Sequence, residues 1–182
     1  MLCLFFGVSG VGKTTLMREL HRNHAWKMIS TIMTRPLRSG EFEKTSVSEA
    51  EFQRISSENG FLCENALFGF KYGTLRTEVM LASDSRDEIW MLDFPLSRRT
   101  IFDNIPHTSL IVMPSSRDQL EWQLKHAGRT ERLTEVLQEY DSHFSHFLKE
   151  ETLTQDWIIV NTPDKVKETA QIIDGRIRNL VL

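Results

Sequence analysis

Short apolar runs alternate with stretches whose apolar residues recur every three or four positions, and this rhythm holds along most of the chain. Leu2–Phe6, Lys27–Met33, Glu88–Phe94, Ser109–Met113 and Asp156–Asn161 are short and bounded by polar or turn residues, which predicts buried β-strands. Between them, Leu16, Met17 and Leu20 share one helical face, as do Leu120 and Leu124. A longer helical pattern runs through Leu133, Val136, Leu137, Tyr140, Phe144, Phe147 and Leu148. The last, Val166, Ala170, Ile173, Ile177 and Leu180, is opened by Thr162-Pro163-Asp164, with Pro163 suited to a first helical turn. Strands alternating with helices predict an α/β fold: a mostly parallel central sheet with helices on both faces and ligands at the carboxyl ends of its strands.

One region breaks the rhythm. From about residue 35 to 74 the chain is polar, carries turn signals at Ser39-Gly40 and Asn59-Gly60, and shows no strong buried strand. It reads as a small insert lying over the sheet of a single domain, whose core is residues 1–34 and 75–182.

Composition narrows the picture. A chain of 182 residues is most simply one domain. Its net charge of −3 carries no polyanion signature, so no nucleic-acid partner is expected and any attraction for phosphate must be local. Cys3 and Cys63 form neither a disulfide framework nor a metal-ligand spacing, which suits buried thiols in a reducing cytoplasm. The apolar run at the N-terminus is too short to span a bilayer and lacks the basic start of a secretion signal, so no membrane partner is expected.

The chemistry begins directly after the first strand. Gly7-Val8-Ser9-Gly10-Val11-Gly12-Lys13-Thr14 fits G-x-x-x-x-G-K-[ST], and Thr15 follows. Backbone N–H groups converge on phosphate oxygens only where no Cβ blocks the turn, and the helix that follows adds its own free donors. Lys13 supplies full positive charge to a triphosphate, and the Thr14 hydroxyl is placed to ligate Mg²⁺. The loop alone does not separate a kinase from an ATPase or a GTPase. Thr34-Arg35-Pro36-Leu37-Arg38-Ser39-Gly40-Glu41 then delivers two arginines about a turn apart, suited to holding a second, dianionic phosphate. Asp93 ends an apolar strand and points a carboxylate at the ligand edge.

With these motifs in order, the chain resembles the guanylate kinase family over nearly its whole length. GVSGVGKTT is similar to that family's phosphate loop, TRPLRSGE to its T-R-x-x-R-x-G-E, FLCENALFGFKYGT to its acceptor segment, and Trp157–Asn161 to its final strand. The resemblance implies ATP as donor, Mg²⁺, and a small phosphorylated acceptor held by Arg35, Arg38 and Tyr72. It implies hydroxyls of Thr31 and Thr74 near the acceptor's base, and Glu41 and Asp93 as the acidic positions near metal and phosphate. It also implies a lid at about residues 126–132, with Arg129 and Arg132 closing over the triphosphate, and Asn161 near the donor's adenine. Gln123 stands where a further lid arginine is usual.

The departures are as specific. Val8 replaces the usual proline. The family's guanine-reading carboxylates fall on Cys63, with Glu64 one position along, and on Pro95; neither thiol nor proline accepts guanine's paired N–H donors. The stretch EFEKTSVSEAEF is about three residues short and lacks the expected aspartate–tyrosine pair, which makes it similar to the ribose 1,5-bisphosphate phosphokinases. The acceptor therefore stays open between a nucleoside monophosphate and a sugar phosphate. Outside enzymes, guanylate-kinase-like scaffold domains bind peptides, but Lys13-Thr14 argues against that reading, and the paired arginines disfavour a plain regulatory NTPase. His143 and His146 lie three apart without a third ligand and read as the polar edge of a helix; His21 and His24 suit the carboxyl end of the first helix.

Overall fold

The computed structural model describes residues 1–67, 69–144 and 157–181. Its central sheet is parallel throughout, in the order β2-β7-β1-β8-β9: Lys27–Met28, Trp90–Asp93, Leu2–Phe6, Thr108–Pro114 and Trp157–Asn161. β1 lies in the middle, which is why all five of its side chains are apolar and fully buried. Its neighbours belong to later parts of the chain, so the carboxyl end of β1 meets that of β7, with Phe5 in register with Asp93. That juncture is where such sheets take ligands.

Helix α1 (Lys13–His24) follows the glycine loop directly and buries Leu16, Met17 and Leu20; it packs on the final helix, labelled α6 below. Its carboxyl end is tied down by histidines. His21 Nδ1 lies 2.8 Å from the Trp26 carbonyl, and His24 pairs with Asp174 at 3.2 Å. α6 (Val166–Val181) is preceded by a 3-10 turn at Pro163–Lys165, so proline does open the final helical segment.

The run Lys27–Met33 is not one strand. β2 pairs with β7, whereas β3 (Thr31–Met33) belongs to a second sheet, with the backbone crossing over at Ile29 and Ser30. Nor is the polar region short of strands. β4 (Lys44–Ser46), β5 (Phe61–Leu67) and β6 (Phe70–Leu75) join β3 in the order β4-β3-β6-β5, so this sheet begins ahead of residue 35. Its apolar content is concentrated in three buried side chains, Ile32, Phe52 and Phe61, which explains why composition hid it. Phe52 comes from α2 (Glu49–Ser57), capped by Ser48 Oγ accepting from Glu51 N at 3.1 Å. Gly73 is required beneath Phe61: a Cβ there would lie 2.5 Å from the ring.

Three further α-helices lie among the described residues: α3 (Arg76–Asp84), α4 (Arg117–His126) and α5 (Leu133–Glu139). α5 runs into a π-helical turn at Tyr140–Phe144, where Phe144 is buried and His143 exposed. His146, Phe147 and Leu148 lie outside the described residues. Among the described residues no helix is long and apolar enough to cross a membrane.

Candidate active site

A cavity of about 410 Å³ opens where the ends of β1 and β7 face the second sheet. Its donor end is the glycine loop. Gly7, Gly10 and Gly12 have φ of 150°, 87° and 94°. At Gly10 a Cβ would lie 2.6 Å from Leu124 Cδ2, and at Gly12 2.4 Å from Asn161 Nδ2, so conformation and packing both demand bare backbone. Asn161 lies beneath the loop, fully buried, and donates to the Val11 carbonyl at 2.8 Å. Asn161, Gly10, Val11 and Gly12 do not line the cavity. Thr15 is exposed and also outside it.

Lys13 folds back over this loop. Its Nζ donates to the carbonyls of Gly7 at 2.5 Å and Val8 at 3.1 Å, and lies 3.7 Å from Asp93 Oδ1. The expectation that Asp93 reaches the ligand edge agrees with this: half-exposed, it stands beside the lysine at the mouth of the sheet. Ser9 and Thr14 line the same end. Thr14 and Asp93 offer a hydroxyl and a carboxylate on one side of the loop, the hard oxygen donors Mg²⁺ prefers. Among the described residues there is no group of three or more His, Cys, Asp and Glu that could hold a metal.

The other end, where the resemblance expects an acceptor, is built on the second sheet. Thr31, Arg35, Arg38, Tyr72 and Thr74 all line the cavity. Register explains the grouping: Thr31 sits opposite Thr74 and Met33 opposite Tyr72, so the chain leaving β3 delivers Arg35 next to Tyr72. Arg35 is buried. Its Nη1 and Nη2 grip Glu41 end-on at 2.8 and 2.6 Å, and Nη1 also donates to the Pro36 carbonyl at 2.8 Å. Glu41 is therefore behind the arginine and not among the cavity residues, and it also accepts from Arg38 N at 2.9 Å. The Arg35 guanidinium holds the Glu41 carboxyl down to about 2, outweighing the effect of burial. Arg38 makes no side-chain pairing with any described residue.

Of the two arginines that the resemblance places in a lid, Arg132 lines the cavity, whereas Arg129 is exposed and outside it. Among the cavity residues that the sequence does not mark are Glu139, Lys44 and Arg98. Glu139, at the end of α5, faces the donor end; burial pushes its carboxyl up while the Lys13 charge pulls it down. It lies two helical turns after Arg132, a spacing that puts both on one face. Lys44 enters from β4, and Arg98 from the 3-10 segment Leu96–Phe102 after β7, with nothing in their local patterns to mark them.

The chain is 31% identical over 173 residues to a guanylate kinase of Nitrosococcus oceani, covering 88% of this chain and 80% of that protein. It is 33% identical over 159 residues to one from Neisseria gonorrhoeae, covering 84% and 76%. The crystal structure of guanylate kinase from Anaplasma phagocytophilum superposes with a TM-score of 0.68 at 21% identity, covering all of this chain and 86% of that one, which supports the fold. No family model matches the chain. Relatives of this identity and coverage place the chain in the guanylate kinase family of P-loop nucleoside monophosphate kinases.

Proposed function

We propose that the protein moves the γ-phosphoryl group of ATP onto the phosphate of a nucleoside monophosphate seated on the second sheet. The observation that carries this is one cavity holding Lys13, Thr14 and Asp93 at one end and Arg35, Arg38 and Tyr72 at the other. The loop amides and Lys13 hold the donor's phosphates; Lys13 exchanges its two carbonyl partners for phosphate oxygens. Thr14 and Asp93 would hold Mg²⁺, which when bound neutralises charge on the triphosphate. Arg35 keeps the acceptor phosphate in line. With Nη1 and Nη2 gripped from behind by Glu41 and the Tyr72 hydroxyl hydrogen-bonded to the same guanidinium, a phosphate would be met by Arg35 and Tyr72 together. The acceptor phosphate is already an anionic nucleophile, so no general base is needed. Arg132, and Arg129 on closure of the lid at about residues 126–132, stabilise the charge in transfer, and closure of the insert excludes water.

A second reading, a sugar phosphate as acceptor, is favoured by one observation: Cys63 and Pro95, where guanine-reading carboxylates are expected, both line the cavity. ADP release from ATP, measured with each nucleoside monophosphate and with ribose 1,5-bisphosphate, separates the two. Turnover of a nucleoside monophosphate supports the first reading. Turnover of the sugar alone replaces it, and hydrolysis indifferent to every acceptor sinks both.

A further inference from the structure

The acceptor end of the cavity has two positive poles, on opposite edges of the second sheet. Arg35, Arg38 and Lys44 come from the β3–β4 side. Arg98 comes in against β5, where its Nη1 donates to the Glu64 carbonyl at 2.7 Å. β3 and β5 are separated by β6, so two strand spacings, about 10 Å, lie between the poles. That is the length of a small phosphorylated metabolite.

Arg98 makes no ion pair with any described carboxylate. Cys63 is a neutral thiol, paired across the hairpin with Thr74; burial pushes the thiol further up, against a pull from the Arg98 charge. Asn65 is a neutral amide opposite Tyr72. Glu64 also lines the cavity, but its Oε1 is engaged by Ser56 Oγ at 2.7 Å, on the α2 side, and Arg98 takes its backbone carbonyl and not its carboxylate. Pro95 has no side-chain polar atom. The carbonyl bond to Glu64 uses one of five guanidinium N–H donors and fixes the group against β5, which reduces the ordering needed to bind a ligand.

We infer that Arg98 is a specificity-determining residue of the acceptor site: its guanidinium reads electron-rich oxygens at the end of the acceptor remote from the phosphate held by Arg35 and Arg38. This rests on the phosphotransfer reading and deepens it. A wall built on a carboxylate selects paired N–H donors; a wall built on Arg98 selects acceptor atoms. The chemistry has two sources, the oxo and ring-nitrogen edge of an oxopurine, which arginine matches bidentately, or a second anionic group on a sugar.

The test is calorimetric binding to the full-length protein of GMP, IMP, AMP, CMP and ribose 1,5-bisphosphate, repeated with Arg98→Gln and Arg98→Lys, with ATP affinity measured alongside. The best-bound acceptor should weaken about ten- to hundredfold in Arg98→Gln, the loss of one charge-assisted contact, while AMP and ATP are unaffected. Arg98→Lys should recover part of that loss for a second anionic group and little of it for an oxopurine, which needs the planar fork. GMP and IMP bound over AMP would identify the oxopurine; ribose 1,5-bisphosphate bound over all nucleotides would identify the anion. Equal affinity in wild type and Arg98→Gln for a tightly bound acceptor would overturn the assignment and leave the phosphotransfer reading standing. Failure of the wild type to bind any of the five would overturn both.

Discussion

Arg35 and Glu41 are locked together behind the cavity, two guanidinium nitrogens on two carboxylate oxygens at 2.8 and 2.6 Å, with both side chains almost wholly buried. The pair shapes the turn that carries Arg38, because the same carboxylate also accepts from Arg38 N. Glu41 is thus a positioning residue for both arginines, and the acidic position marked by the family resemblance acts here through them.

That pairing sets a pH dependence. The Glu41 carboxyl is depressed in the folded protein, so its contribution to stability is complete above its unfolded value near 4.5 and is lost as pH falls towards about 2. Glu41→Gln should cost about 2 kcal/mol at neutral pH. Urea denaturation of both proteins between pH 7 and pH 3 should show the gap constant down to about 4.5 and narrowing below it.

Lys13→Ala should lower kcat by about a hundredfold or more, because the lysine's charge is needed where charge develops in transfer. The thermal midpoint should change little, since the Lys13 contacts are to loop carbonyls that solvent can satisfy. Steady-state kinetics with a thermal melt on the same sample checks both parts.

Gly12→Ala places a Cβ 2.4 Å from Asn161 Nδ2 at a residue with φ of 94°. A loss of about 1–3 kcal/mol and a sharp fall in ATP affinity are expected. Combining it with Asn161→Ala should relieve the clash but not the backbone strain, so stability recovers only in part. Full recovery would show that φ carries no cost there.

The acceptor loop is also strapped to α1. Arg18 Nη2 meets both Glu43 oxygens at 2.9 and 3.1 Å and the Gly40 carbonyl at 2.9 Å, and its guanidinium lies 5.3 Å from the Phe42 ring centre. Arg18→Ala should raise the acceptor's KM about three- to tenfold, roughly 1 kcal/mol of lost ordering, with the KM for ATP unchanged.

What was legible in the sequence divides by range. The glycine loop, Lys13 and Thr14 are contiguous, and their chemistry follows from spacing alone. Arg35 and Arg38 were also local, but their partner arrangement was not: the sequence pointed to Glu41 as a ligand contact, and only the fold places it behind Arg35. An apolar run such as Lys27–Met33 carries no information about which sheet its two halves join. The second sheet escaped notice because its small core is assembled from Ile32, Phe52 and Phe61, single residues on three elements. Arg98 and Glu139 were invisible for the same reason: their meaning comes from β5 and Lys13, distant in sequence.

The crossing at Ile29 and Ser30 has a mechanical consequence. Ile29 N still bonds the Met91 carbonyl at 2.9 Å, while Thr31 already pairs with Thr74, so one residue separates a strand of the donor floor from a strand of the acceptor floor. Ser30 N is pinned to Glu78 Oε2 at 3.2 Å, which makes that residue a fulcrum rather than a slack joint. Tilting the acceptor sheet towards the triphosphate therefore levers against the β2–β7 ladder, the strand pair that ends in Asp93. The second sheet and the strand that carries Asp93 are thus joined through a single residue of backbone.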